Sequence, residues 1–300
     1  ELIPSTTDKA GAYALYANML ARLNQPEQAL AMIDKAIQAD PKDHRGYATK
    51  ADLQAARGDW AGAADALAKY LEIRPDDVIA RRNLVEFRFR AGQLDQAEAA
   101  LRPLQATEST NKETLVLTGM IAMARQDQRK AEQLFTQALQ DDPKFIRALR
   151  ERAALYVGLG EIFKAKNDME TVLRVEREQV SEAAAVGGAE AEQQALRTRV
   201  APASVQLAEL QAQLGQYDEA ERLCQDALKI VTNYPPAMRV LTSIHVSRKN
   251  WAALEKLLSD ARKAIPEDPQ VPIYEADMWR ARQQPDRRLA ALTEALKLNK

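Results

Sequence analysis

Five alanines stand on one ruler. Ala29, Ala63, Ala97, Ala131 and Ala165 follow one another at intervals of 34 residues, and Ala220 stands 55 residues after the last of them. A fixed period of this length constrains the fold more than any other feature of the chain. Each unit packs only against its neighbours, so the molecule grows by stacking and not around one central core. The surroundings of each alanine repeat too. About five residues earlier comes a helix breaker or polar turn residue: Asn24, Gly58, Gly92, Gln126, Gly160 and Gly215. Four residues later comes a larger apolar side chain: Ile33, Leu67, Leu101, Phe135, Met169 and Cys224. Three further on comes a second small or apolar group, as at Ala36, Tyr70 and Ala138. Offsets of four and seven share one helix face. Pro41, Pro75 and Pro143, with Pro266 in a later unit, close units where a helix cannot continue. A small residue at the ruler position fits where two helix backbones approach, since a larger one would overpack the contact at about 1–3 kcal/mol.

This pattern resembles the tetratricopeptide repeat, in which a helical hairpin recurs with an alanine in its second helix at the inter-helix contact. The resemblance covers nearly the whole chain. It implies an all-α fold, a right-handed superhelical solenoid of about eight helix-turn-helix repeats, with a projecting helical insertion after the fifth. Residues 1–9 read as a lead-in with an N-cap run at Ser5-Thr6-Thr7-Asp8. Residues 10–179 hold repeats one to five, 180–200 the insertion, and 201–300 repeats six to eight, the last degenerate.

Departures from the pattern carry their own expectations. Tyr13, Tyr16 and Leu20 form the buried stripe of the first helix. Pro103 falls inside a second helix, where it costs about 3 kcal/mol and predicts a kink or a short helix. Leu254 replaces the ruler alanine in repeat seven and predicts a wider hairpin; Arg288 replaces it in repeat eight. Glu178–Val200 is rich in Ala, Glu and Gln, broken only by Gly187-Gly188. It reads as two lengthened helices joined at the glycine pair, either a tolerated insertion or a docking spur and self-association element. Leu289, Leu292 and Leu296 are left half covered by the last repeat. The expected explanations are a longer array, with which the initial Glu1 agrees, or cover from a partner or second copy.

Composition excludes several classes. The 42 Lys and Arg balance 43 Asp and Glu without a basic stripe, which argues against a nucleic-acid partner. No apolar run approaches the roughly 20 residues that cross a bilayer, so direct membrane insertion by this chain is not expected. A single cysteine excludes an internal disulfide framework. The start at Glu1 reads as a processed or excised chain, from which any signal peptide would already be gone, and cytoplasmic and periplasmic settings both stay open. No constellation points to catalysis, a metal or a cofactor. His44 and His245 are far apart, with His245 on a packing stripe as a satisfied core residue. Cys224 fills a core position, Asp141-Asp142 belongs to a turn, and Gly187-Gly188 lacks the strand and Lys-Ser or Lys-Thr of a phosphate loop.

The family resemblance implies that first helices line a concave groove that binds peptide segments. Carried onto this sequence, the groove positions include Asn18, Arg45, Asp52, Arg82, Glu86, Phe89, Met120, Met123, Arg147 and Arg150, with Val116, Val205, Glu209, Arg239 and Ser243 beside them. One subclass clamps a C-terminal carboxylate with Lys and Asn. Asn18 matches, but Ala14 and Thr49 stand where the Lys and the next Asn belong, so that role is rejected. The arginines and the Phe89, Met120 and Met123 patch suit an acidic-plus-apolar segment across repeats two to five; alternatively, Glu86 and other local acids hold the arginines. The implied function is a non-enzymatic protein-interaction scaffold. A narrower form is part of a larger bacterial envelope assembly of the exopolysaccharide-export kind. The other reading is a regulatory repeat domain of an enzyme or sensor. Self-association through the insertion or the exposed ends is a further option.

Overall fold

A computed structural model describes residues 9–299, the Ala183 side chain excepted. Among the described residues there is no strand. The lead-in and its N-cap run, residues 1–8, lie outside them. The chain divides into two compact units, Glu1–Pro143 and Lys144–Lys300.

The first unit holds four hairpins. They are α1 (Lys9–Arg22) with α2 (Pro26–Ala39), α3 (His44–Ala56) with α4 (Trp60–Ile73), α5 (Val78–Arg90) with α6 (Leu94–Thr107), and α7 (Lys112–Ala124) with α8 (Gln128–Asp141). Ala29, Ala63, Ala97 and Ala131 are wholly buried. Side-chain caps start five of these helices. Asp59 accepts from the Gly62 N–H at 2.9 Å, and Asp43, Asp77, Asn111 and Asp127 cap in the same manner. Ion pairs tie successive hairpins, as at Lys50–Asp34 (2.7 Å) and Arg88–Asp65 (2.7 Å). Trp60 opens α4, meets Phe87 of the next hairpin in a tilted ring contact at 5.7 Å between centroids, and carries Arg90 over its ring at 4.7 Å.

The second unit holds α9 (Ile146–Gly158), α10 (Ile162–Ala195), a π-helical turn (Leu196–Val200), α11 (Ala201–Gln213), α12 (Tyr217–Ile230), α13 (Pro235–Ser247), α14 (Trp251–Ala264), α15 (Gln270–Ala281) and α16 (Pro285–Leu298). Ala165 and Ala220 are again fully buried. Helical geometry in α10 breaks at Gly188 (φ 68°, ψ −163°). Arg199 in the π turn donates to Gln179 Oε1 at 3.2 Å, so the chain on either side of Gly188 runs back alongside itself. Val180, Ala195 and Val200 bury this stem, while Val186 near its tip is almost fully exposed.

Every hairpin turns the same way. Asn24, Gly58, Gly92, Gln126, Gly160, Gly215, Lys249 and Gln283 all have φ between 53° and 75°. The residue after each donates its N–H to the carbonyl five back, as Gln25 to Leu20 (2.9 Å) and Gln284 to Trp279 (3.0 Å). This closes each first helix with a left-handed C-terminal cap. Lys249 and Gln283 occupy that conformation without a glycine's freedom, because the hydrogen bonds and packing around them determine it.

Three expectations change. Tyr16 is 43% exposed and not part of a buried stripe. In the next repeat the same face, through Lys50, meets the preceding second helix, and among the described residues no helix precedes α1 to cover it. Pro103 does not shorten α6, which spans 14 residues like α2, α4 and α8. The proline lacks only its own N–H bond, to the Ala99 carbonyl one turn earlier, and α6 keeps its length across that single missing bond. His245 is buried, but its Nδ1 has no hydrogen-bond partner, so it is not a satisfied core residue. The wider hairpin expected at Leu254 is present: α13 and α14 have the loosest backbone approach of the eight hairpins. In repeat eight Arg288 is exposed, and Ala291 and Ala295 make the buried contact one and two turns later. Leu289, Leu292 and Leu296 are exposed.

Candidate peptide-binding faces

The first helices of the first unit carry eight of the sequence-derived groove residues. Asn18 lies exposed on α1. Arg45 folds onto the cap of its own helix and donates to the Asp43 carboxylate at 2.7–3.0 Å, holding that carboxyl below its ordinary range. Asp52 is exposed at one flank, while surrounding protein desolvates its carboxyl and pushes the pKa up. Arg82 is half-buried and pairs with Glu108; its Nε is buried without an acceptor. Glu86 accepts from Arg90 one turn on at 2.6 Å. Phe89 and Met123 are half-buried. Met120 is not a groove residue in the sense expected, being only 8% exposed. Val116 is likewise buried, because α7 is apolar nearly all round and packs on more than one side.

In the second unit Arg147 sits half-buried in the first turn of α9. Arg150 donates from Nη1 to Gln206 Oε1 on α11 at 2.7 Å and from Nη2 to Glu176 Oε1 on α10 at 3.3 Å. One repeat further, Arg239 on α13 donates to Glu209 on α11 at 2.6 Å. These contacts join the first helices of three successive repeats into one polar row. A recess of about 380 Å³ opens between α11 and α13, lined by Glu209, Gln213, Arg239 and Ser243. Val205, expected at this face, is buried.

Arg45, Arg82 and Arg150 are therefore held in the free protein by Asp43, Glu108 and Glu176. The sequence offered Glu86 and other local acids as the holding groups; Asp43, Glu108 and Glu176 are such acids, and Glu86 accepts from Arg90. Gln206 and Glu108 were not singled out. Gln206 lies one turn before Glu209 on the same helix, a spacing that would have placed both on one face. Exposed pairs contribute about 0.2–1 kcal/mol.

Tetratricopeptide repeat models match residues 10–53, 54–113 and 201–226. The chain belongs to the tetratricopeptide repeat family. Repeats of this family make protein-interaction scaffolds. Solved structures agree on the fold. PilW, described as a widely conserved type IV pilus biogenesis factor, aligns with a TM-score of 0.55 at 18% identity, over 79% of this chain and 100% of that one. PilF of Pseudomonas aeruginosa aligns at 0.53 and 17% identity, over 79% and 100%. A tetratricopeptide repeat protein of Parabacteroides merdae aligns at 0.52 and 15%, over 86% and 93%. No curated protein sequence matches.

Cys224 is wholly buried, and desolvation pushes its thiol up to about 12. Among the described residues no three His, Cys, Asp or Glu side chains gather in a group able to hold a metal. No described helix is long and apolar enough to cross a membrane.

Proposed function

We propose that this protein is a non-enzymatic scaffold that holds peptide segments of partner proteins against its first-helix faces. The polar row Arg150–Gln206 and Glu209–Arg239, beside the recess between α11 and α13, carries this reading. Its side chains span from repeat to repeat and exchange partners at low cost, as an adaptable binding surface requires. In the first unit Asp52, Arg82, Glu86, Phe89 and Met123 supply the corresponding polar and apolar contacts, with Asn18 and Arg45 at the edge. We extend the reading to a place in a larger bacterial envelope assembly, of the exopolysaccharide-export kind. The degenerate repeats accord with that setting, and PilW and PilF lend the fold alone.

Site-specific photo-crosslinking tests the faces. A benzoylphenylalanine at Phe89 or Ser243, on first helices, captures the partner; the same probe at Lys69 or Lys229, on second helices, does not. Capture confined to the second-helix positions rejects the proposal.

A further inference from the structure

A small cleft lies between a second helix and the hairpin that follows it. The one between α2 and α3–α4 is about 440 Å³, and the one between α6 and α7–α8 about 290 Å³. The corresponding cleft between α10 and α11–α12 reaches about 1000 Å³. Its size has a sequence cause. The other second helices span 14 residues, whereas α10 runs on into the 180–200 segment, so Arg177, Glu178 and Ser181 add a further turn of wall.

The walls differ as well as the volume. In the smaller clefts ion pairs cross the gap: Lys50 of α3 to Asp34 of α2, and Arg125 of α7 to Asp95 and Glu98 of α6. No cleft-lining side chain of α10 makes an ion pair with α11 or α12 among the described residues. Each acid of the large cleft is already engaged. Glu170 is held by Lys166 (3.2 Å), Glu178 by Lys144 (2.6 Å), Glu219 by Arg222 (2.7 Å) and Asp218 by Arg248 (2.6 Å). Lys144 and Arg248 come from outside the cleft lining, so the lining's own four cations face acids that are already engaged, and some of those cations lack a close partner. Arg174 reaches only Glu178, at 3.7 Å, and Arg177 has neither an ion pair nor a hydrogen bond among the described residues. The cleft also contains Gln211, 7% exposed, whose Oε1 is buried without a donor. A buried acceptor left empty is costly unless something arrives to fill it.

An unpaired guanidinium and an empty buried acceptor ask for a carboxylate and an N–H in one ligand. A simple anion supplies only the first; a peptide supplies both. The volume stands at the upper end of small-ligand sites and suits several residues. We propose that the cleft between α10, α11 and α12 docks an acidic peptide segment of a partner protein, with a side-chain carboxylate on Arg177 and an N–H donated to Gln211 Oε1. This site is built from α10, α12 and the α11 flank that carries Gln211, apart from the Arg150–Gln206 and Glu209–Arg239 row, and it does not depend on the first-helix reading.

A random heptapeptide phage library selected on the intact chain tests the proposal, with fluorescein-labelled copies of the enriched peptides measured by anisotropy. Asp- and Glu-bearing peptides are enriched. Arg177→Glu, on an exposed side chain that leaves the circular dichroism spectrum unchanged, weakens them about tenfold or more, as expected for losing a charge-assisted bidentate contact. Gln211→Leu weakens them by a smaller factor, and Arg239→Glu, in the first-helix row, leaves them unaffected. No enrichment, peptides without acidic residues, binding that survives Arg177→Glu, or full displacement by inorganic phosphate alone would each overturn it.

Discussion

Gly119 and Phe135 face one another inside the fourth hairpin, and the pair yields a quantitative expectation. A Cβ built on Gly119 would stand 2.5 Å from Phe135 Cε1 and 2.8 Å from Cδ1. Phe135 is fully buried, so its ring has nowhere to move. Gly119 is the smallest residue at this position of the repeat, which Val85 and Thr242 fill in repeats three and seven. Ala17, Ala51, Ala153 and Ala208 take the place of Gly119 where Ile33, Leu67, Met169 and Cys224 take the place of Phe135. Gly119→Ala has two opposed effects. Helix propensity favours it by about 1 kcal/mol. Overpacking costs about 1–3 kcal/mol, and a contact roughly 1 Å inside the optimal carbon–carbon separation belongs at the upper end. The net expectation is a loss of about 2 kcal/mol. In a Phe135→Leu background the obstructing ring atoms are gone, and adding Gly119→Ala gains about 1 kcal/mol. Native-state hydrogen exchange of the α7 amides measures both, because it reads local opening in an array whose repeats need not unfold together. A neutral or stabilising Gly119→Ala in the parent chain, or a penalty that persists in the Phe135→Leu background, refutes the reasoning.

Gln211→Leu removes a buried amide oxygen that lacks a donor and raises the stability of the second unit by about 1–3 kcal/mol in the absence of ligand; hydrogen exchange of α11 checks it, and destabilisation counts against the orphaned acceptor. Cys224, with its thiol pushed up to about 12, stays unreactive to a thiol-specific disulfide reagent at pH 8 until the chain is unfolded. Burial, then Arg248, lower the His245 pKa against an opposing pull from Glu221, so the unfolded state binds the proton more tightly. The contribution of neutral His245 is present above about pH 6.5 and is lost as pH falls from there through the depressed folded pKa. The urea midpoint of the parent chain therefore drops on acidification through that window, and His245→Leu flattens the drop.

The stacked-hairpin architecture was legible in the sequence because the same physical demands recur at a fixed spacing. The ruler alanines are small where helices touch, and Gly58, Gly92, Gly160 and Gly215 permit a left-handed turn. Lys249 and Gln283 turn the same way without any local mark, since the packing around a turn, and not the residue's preference, holds them there. Leu254 announced its wider hairpin by size alone. The binding faces were legible only as positions. Helical periodicity told which residues share a face, but not that Met120 is buried, nor that Asp43, Glu108 and Glu176 hold the arginines. Those partners lie 2 to 26 residues away and come from caps, loops and neighbouring helices, whose approach depends on how the hairpins stack. The cleft beside α10 is further still from the sequence. Arg177 and Gln211 look like an ordinary surface charge and an ordinary helical glutamine until the longer helix brings them to one cavity. Local periodicity and residue size determined the repeat by itself; only tertiary packing decided which side chains are paired, which are buried and which are left wanting a partner, because those depend on distances between segments that no spacing along the chain encodes.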